Sequence, residues 1–296
     1  MSELELHTSS ARTPVLLAAF GEWVTGLPLY GSIAATIWIP YQVLQVLLAL
    51  VLGVPAAADA VQAAGKAAAA DQPFDESGAV AAAGRLLLFG LVTLALALVA
   101  AALSQAATAL AVAGRLRGES PPLGSVLRAA WARTGAVLGA TFLMALVGLL
   151  AVIVVLVVGL PLTFALGLAH LGAVGTGLTA LGLIAGPVVL ISAFAVAPQV
   201  AAIEGAGPLA SLRRARSLIG RRWPVALLVL VVLGTVAWLG SALLTGVFEA
   251  AVGGRPGAVS LLAGAAAAAL SAVVFGPLPQ VGLTLLYDRL RTREGA

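Results

Sequence analysis

Long uncharged stretches dominate the pattern of the chain. No Asp, Glu, Lys or Arg occurs in residues 23–58, 86–114, 134–203, 223–248 or 256–287, which are 36, 29, 70, 26 and 32 residues long. A helix needs about 20 apolar residues to cross about 30 Å of hydrocarbon. Four of the stretches therefore hold one span each and the longest holds two, so the pattern predicts six transmembrane helices.

The limits of the spans follow from the polar and helix-breaking residues around them. We place the spans near residues 29–53, 86–112, 137–160, 179–201, 225–247 and 258–283. Helix-breaking prolines lie within or at the ends of spans at Pro40, Pro161, Pro187, Pro198, Pro277 and Pro279. Because neighbouring helices satisfy the carbonyls that such prolines free in a membrane, we expect kinked helices.

An amphipathic segment precedes each odd-numbered span. Apolar residues recur at helical spacing after Pro14, after Pro122 and after Pro208, and arginines lie opposite the apolar face in the second and third segments. Each segment is too short and too polar to cross a membrane. A helix with an apolar face and a basic face typically lies in the headgroup plane, so we expect three cytoplasmic surface helices.

The surface helix and the two following spans form a unit that occurs three times. The second and third units end in the same Pro-Gln-Val motif, at 198–200 and 279–281, and Ser-Gln-Ala at 104–106 is a weaker copy. The sequence thus predicts an all-α polytopic membrane protein whose three hairpins surround an axis along the membrane normal. Its single domain, 1–296, divides into a polar leader at 1–13 and repeats at 14–120, 121–207 and 208–296.

Composition and charge agree with a membrane location and give an orientation. Of the 296 residues, 61% are hydrophobic and 9% are charged, against about 45–50% and about 25% in soluble domains. Thirteen of the 16 basic residues lie on the side that contains both termini, and Lys66, Arg85 and Arg255 lie on the other. Since basic residues near span ends resist translocation, we predict a multi-pass protein of the cell membrane with cytoplasmic N- and C-termini. The formal net charge of +4 reflects these basic residues on the side of the termini. We therefore do not interpret the charge as a nucleic-acid surface, and we expect no nucleic-acid partner.

Two runs of the sequence resemble a known bacterial family. They are VAPQVAAIEGAGPLASLRRARSLIGRRWPVALLVL and LPQVGLTLLYDRLRTREG. Both resemble the six-helix membrane domain that is fused to some glycerophosphodiester phosphodiesterases and stands alone in actinobacterial proteins. The adjacent Tyr287 and Asp288 depart by one residue from the family's Leu-Tyr-x-Asp-Leu-Arg ending. The resemblance implies the fold and the membrane placement, but not the phosphodiesterase reaction, which belongs to a separate barrel domain of about 250 residues.

Residues suited to catalysis or metal binding are sparse. The chain has no cysteine, and His7 and His170 have neither a carboxylate nor a second histidine at ligand spacing. Asp71, Asp75 and Glu76 share one loop that lacks the glycine and the spacing of a dedicated calcium site. We therefore expect no catalytic residue, no cofactor, no metal and no enzymatic activity.

Two sets of polar residues remain as candidate sites. Lipid headgroups are the candidate ligands of a set of arginines, namely Arg213, Arg214, Arg216, Arg221, Arg222, Arg289, Arg291 and Arg293. An intramembrane polar path is the candidate role of a set of glutamines, namely Gln42, Gln45, Gln105, Gln199 and Gln280. Bonds between helices are the alternative for the glutamines, and a topological anchor is the alternative for the arginines. Glu204 and Asp288 are each expected to pair with one of Arg213, Arg216, Arg289 and Arg291.

Two functions stay open on these residues. The basic surface helices favour a non-enzymatic scaffold or accessory protein that interacts with anionic membrane lipids, or with a membrane-protein partner, at the cytoplasmic leaflet. The kinked helices and the glutamines favour a transporter or lipid-translocating protein. No predicted span centre carries an ionisable residue, which weighs against coupling to ions or protons.

Overall fold

The fold is helical throughout the part of the chain that the structure describes. The computed structural model describes residues 14–70, 72–168, 171–252 and 258–294. Its helices are α1 (Val15–Val51), α2 (Val54–Ala69), α3 (Glu76–Leu116), α4 (Leu123–Leu168), α5 (Gly172–Ser192), α6 (Ala197–Glu204), α7 (Pro208–Ile219), α8 (Trp223–Val252), α9 (Ala258–Val274) and α10 (Pro277–Glu294), with a 3₁₀ turn at Gly220–Arg222. The predicted all-α class is confirmed. The polar leader, Asp71, His170 and Arg255 lie outside the described residues.

Six helical segments are long and apolar enough to cross a membrane, in agreement with the number predicted from the uncharged stretches. They are Val15–Val51, Glu76–Leu116, Leu123–Leu166, Ala173–Glu204, Pro208–Val252 and Val259–Glu294. Helix α4 has 46 residues and at about 1.5 Å per residue measures roughly 69 Å. This length exceeds the roughly 30 Å of a hydrocarbon core, so α4 is too long to fit within it.

The first two predicted surface helices are not separate elements. Helices α1 and α4 begin at the amphipathic segments and continue without a break through the apolar segments. The third segment forms α7, which ends where Gly220 adopts φ 44° and ψ −121°. Glycine reaches a positive φ without the steric cost that a Cβ imposes, and no such glycine occurs within α1 or α4. The backbone conformation of Gly220 thus separates α7 from α8.

Two of the expected kinks are complete helix breaks. Residues 193–196 separate α5 from α6, and residues 275–276 separate α9 from α10. Both breaks directly precede the Pro-Gln motifs, whereas α3, which carries the copy without proline, is continuous over 41 residues. The missing proline N–H favours a break at these two places, although proline alone does not force one. Four other prolines lie within continuous helices, namely Pro28, Pro40, Pro161 and Pro187.

Buried side chains concentrate at one end of the molecule, which we call the basic end because it contains α7, the 3₁₀ turn and the last turns of α10. There α3, α6 and α10 contact one another. Helix α1 packs against α3 and α10, α4 packs against α3 and α6, and α8 packs against α10. Toward the opposite end, large apolar side chains are exposed, among them Val157 at 66%, Phe164 at 72% and Leu243 at 71%.

A tryptophan from α1 compensates for the break between α9 and α10. The Trp23 indole Nε1–H donates to the Val274 carbonyl oxygen at 3.0 Å, and the indole stacks on Phe275 with ring centroids 6.3 Å apart. In an unbroken helix this carbonyl would accept from the Leu278 N–H. That N–H bonds instead to the Phe275 carbonyl at 3.1 Å, so the indole replaces a lost helical hydrogen bond.

The Trp23→Phe variant is therefore expected to be less stable by about 1–3 kcal/mol, because it leaves the Val274 carbonyl without its donor. Thermal unfolding of the detergent-purified protein, followed by circular dichroism, measures the effect. Trp131→Phe is the matched control, since the Trp131 side chain is 65% exposed. Equal Tm values for the two variants would contradict the assigned role of the indole.

Candidate functional site

Helix α7 displays a basic face because its apolar face is packed against the rest of the molecule. Its buried residues are Ser211, Leu212, Ala215, Leu218 and Ile219. At its start, Pro208 lies so close to Gly139 of α4 that a Cβ on the glycine would fall 2.5 Å from the proline Cγ. With that face occupied, Arg213 and Arg216 are exposed.

Arg214 differs from its neighbours because it is held by two carboxylates. Its Nη1 lies 2.8 Å from Oε2 of Glu294, and its Nε lies 3.7 Å from Oε1 of Glu204. The same Glu204 oxygen accepts a hydrogen bond from the Tyr287 hydroxyl at 2.7 Å. The arginine paired with Glu204 is thus not one of the four expected from the sequence, and this cluster joins α6, α7 and α10.

A similar cluster that the sequence analysis missed joins α1 to α3. The Arg115 Nε lies 2.6 Å from Oε1 of Glu22, and the Tyr30 hydroxyl donates to that same oxygen. In both clusters, therefore, one glutamate oxygen meets a tyrosine hydroxyl and an arginine. A weak signal was present in the sequence, because Glu22, Arg115 and Glu204 are among the ten charged residues that directly flank the five uncharged stretches.

Three of the candidate arginines meet at one cavity. Arg222, from the 3₁₀ turn, and Arg289 and Arg293, from α10, line a cavity of about 230 Å³. The apolar part of its lining consists of Val15, Val225, Leu286 and Leu290. We call it the arginine cavity. In the sequence these arginines belong to two clusters, and the packing of α8 on α10 brings them together.

Arg291 lines a different cavity, between α3, α6 and α10. That cavity measures about 160 Å³ and also contains Arg117 and Asp288. Arg117 was not among the candidates, and its Nε lies 2.8 Å from Oε1 of Glu119. Positive and negative groups are therefore mixed here. The last of the eight candidates, Arg221, is exposed beside the start of α8.

The glutamines occupy two separate places. The Gln199 side chain is 1% exposed, and its Nε2–H donates to Oε1 of Gln280 at 3.2 Å, so the two Pro-Gln motifs meet. The Oε1 atoms of Gln105 and Gln199 are buried and accept no hydrogen bond from the described residues. Gln42 and Gln45 instead line a cavity of about 550 Å³ between α1 and α9, which also contains Trp38, Tyr41 and Phe89.

Comparison of the chain with protein-family models, with curated proteins and with solved structures finds no match. The resemblance to the membrane domain of glycerophosphodiester phosphodiesterases therefore stays a prediction from the quoted motifs. Within the described ranges, no group of three or more His, Cys, Asp or Glu residues is arranged to hold a metal ion.

Removal of the Tyr287 hydroxyl is expected to loosen the basic end. In Tyr287→Phe, Glu204 loses a donor at 2.7 Å, and a hydrogen bond to a charged group contributes about 1.5–3 kcal/mol. Hydrogen–deuterium exchange should therefore speed up about tenfold or more in α6 and α7. Tyr41→Phe is the control, because the Tyr41 hydroxyl lies 3.4 Å from the Thr93 carbonyl oxygen and this long contact is weak. Unchanged exchange in Tyr287→Phe would show that the cluster does not hold these helices.

Proposed function

We propose that the chain is a non-enzymatic integral membrane protein, a scaffold or accessory protein that interacts with anionic lipids or a partner protein at the cytoplasmic leaflet. The observation that carries the proposal is the grouping of arginines from α7, the 3₁₀ turn and α10 at the basic end. Each basic residue near an anionic leaflet contributes about 1 kcal/mol. Trp223, 36% exposed beside Arg222, suits the headgroup depth.

The packing supports a membrane placement with three hairpins around a central axis. The exposed Val, Leu and Phe side chains away from the basic end form the kind of surface that contacts hydrocarbon rather than water. The contacts among α3, α6 and α10 support an arrangement with one helix of each repeat at the centre. Helices α1, α4 and α8 then surround them, and the basic end faces the cytoplasm.

The carboxylates of Glu22 and Glu204 bond to tyrosine and arginine side chains, which favours a structural and binding role of the protein over catalysis. Glu22 bonds to Tyr30 and Arg115, and Glu204 bonds to Tyr287 and lies beside Arg214. A general acid or base must reach its substrate. These two glutamates instead connect helices through their carboxylates, so we assign them a structural role.

Selective retention of anionic lipid tests the proposal. Protein purified in detergent is incubated with equimolar phosphatidylglycerol and phosphatidylcholine, and native mass spectrometry counts the lipids that stay bound. We expect several-fold more phosphatidylglycerol, because the arginines attract its phosphate and nothing neutralises that phosphate within the lipid. Equal retention of the two lipids would refute an anionic-lipid role.

The orientation has its own test, which uses the absence of cysteine from the chain. Ala69 at the end of α2 and Ser217 of α7 are both exposed, so a cysteine at either position is open to reagent. In intact cells, an impermeant maleimide should label Ala69→Cys, whereas Ser217→Cys should require permeabilised cells. The unaltered chain measures the background. Labelling of both variants from one side would overturn the six-span arrangement.

A second candidate function, transport or lipid translocation, is favoured by the cavity between α1 and α9. Its volume of about 550 Å³ and its lining of aromatic and amide side chains suit an amphipathic molecule. The paired Gln199 and Gln280 lie elsewhere, in the buried contact between α6 and α10. A continuous path would have to connect these two places.

A further inference from the structure

The cavity of about 550 Å³ between α1 and α9 lies away from the basic end. Val15, at the start of α1, lines the arginine cavity, whereas Gln42 and Gln45 lie near the other end of that helix, which ends at Val51. We call the larger cavity the amide cavity, because these two glutamines line it. We infer that the amide cavity binds an uncharged lipid whose headgroup carries hydroxyl groups. The inference does not rest on the proposed contact with anionic lipid, and it gives a ligand class to the cavity that favours the second candidate function.

The two glutamine amides are the polar groups that a ligand of this cavity would meet. Gln42 and Gln45 lie three residues apart and therefore on one face of α1, and both side chains are half-buried. Gln199 bonds to Gln280, whereas neither Gln42 nor Gln45 has a hydrogen bond to another residue of the described ranges. Ser260 also lines the cavity, but it has a further interaction of its own. An amide without a partner in apolar surroundings is costly, so the glutamines favour a ligand that bonds to them.

The chemistry of the lining favours an uncharged headgroup. Each glutamine amide offers N–H donors and a carbonyl acceptor, and a hydroxyl group is likewise both a donor and an acceptor. None of the described residues that line the cavity is charged. A phosphate in the cavity would lack a cation from this lining, and burial of an unpaired charge costs far more than burial of a neutral polar group. A headgroup with hydroxyl groups and no charge therefore matches the amides best.

The other walls of the amide cavity suit the apolar part of a lipid. Trp38 and Tyr41 pack edge to face with ring centroids 5.5 Å apart, and Phe89 of α3 and Leu261 of α9 add further apolar surface. Ligand sites typically measure about 300–1,000 Å³ and combine apolar walls with a few polar groups that fix the orientation of the ligand. The amide cavity has both properties. Its apolar walls favour a lipid over a free sugar.

Open space adjoins Gly264 of α9, which also lines the cavity. A Cβ at this glycine would meet no other atom within 4 Å. Gly246 of α8 is a matched position outside the lining, since it is also exposed and a Cβ there would also meet no atom within 4 Å. Neither glycine has a positive φ. Substitutions at the two positions therefore distinguish filling of the cavity from a general effect of added bulk.

The first test removes the amides. Gln42→Leu/Gln45→Leu replaces them at similar volume, and Gln62→Leu/Gln72→Leu removes two exposed amides elsewhere as the control. Full-length protein in lauryldimethylamine oxide, a detergent without hydroxyl groups, is incubated with equimolar monoglucosyl-dioleoylglycerol and dioleoylphosphatidylcholine. Native mass spectrometry counts the bound lipids. The unaltered protein and the control should retain several-fold more glucolipid than phosphatidylcholine, and Gln42→Leu/Gln45→Leu should retain about tenfold less glucolipid because its hydrogen bonds are lost. Equal glucolipid retention by the two variants would overturn the inference.

The second test fills the cavity and leaves the amides in place. Gly264→Phe should lower glucolipid retention several-fold, because the ring takes up space that the ligand needs, whereas Gly246→Phe should retain as much as the unaltered protein. Circular dichroism checks that both variants keep their helix content. If the two variants retain equal amounts of glucolipid, the assignment of the ligand to this cavity is overturned.

Two further arms identify the source of the hydroxyl groups. Dioleoylglycerol replaces the glucolipid in the first arm: retention of both lipids assigns the glycerol hydroxyl, retention of the glucolipid alone assigns the sugar, and retention of neither overturns the inference. In the second arm, millimolar glucose should leave the bound glucolipid in place, because glucose lacks the acyl chains that the apolar walls contact. Displacement by glucose would overturn the lipid assignment.

Phosphatidylglycerol separates this site from the proposed function. Its retention by Gln42→Leu/Gln45→Leu should equal that of the unaltered protein, because every arginine of the basic end is unchanged. If the unaltered protein prefers phosphatidylglycerol but not the glucolipid over phosphatidylcholine, the proposed function stands and the inference is overturned. If it prefers the glucolipid alone, the inference stands and the anionic-lipid function fails. Equal loss of both lipids in the amide variant would overturn a specific role of the amides.

Discussion

A helix that breaks in apolar surroundings leaves backbone N–H and C=O groups without hydrogen-bond partners. The rest of the structure depends on the groups that replace those partners. The breaks before the Pro-Gln motifs separate α6 from α5 and α10 from α9, and α6 and α10 then contact α3 in the buried centre. At the second break the Trp23 indole supplies the donor to the Val274 carbonyl. Since Trp23 belongs to α1, this hydrogen bond joins α1 to the end of α9 at the point where the helix is interrupted.

Ionic clusters stabilise the same end of the molecule. Each combines one glutamate oxygen with a tyrosine hydroxyl and an arginine, at Glu22 and at Glu204. A carboxylate that is removed from water requires donors, and these clusters supply them from other parts of the fold. The arginines that take part, Arg115 and Arg214, are therefore structural.

The proposed role rests on the grouping of arginines at the basic end. The arginine cavity lies where α1, α8 and α10 meet, beside the exposed basic face of α7. The larger cavity near Gln42 and Gln45 has an aromatic and amide lining that suits an amphipathic molecule.

The number of apolar helices, the all-α class, the positions of the Pro-Gln interruptions and the grouping of arginines are determined by the sequence itself, because hydropathy, proline and charge act locally along the chain. The tertiary structure decided the rest. It showed that α1 and α4 run through the predicted surface segments, that Glu204 lies beside Arg214, and that Arg222 joins Arg289 and Arg293. Which side chains of separate helices meet depends on how the helices pack, and the spacing of residues along the chain does not encode that contact.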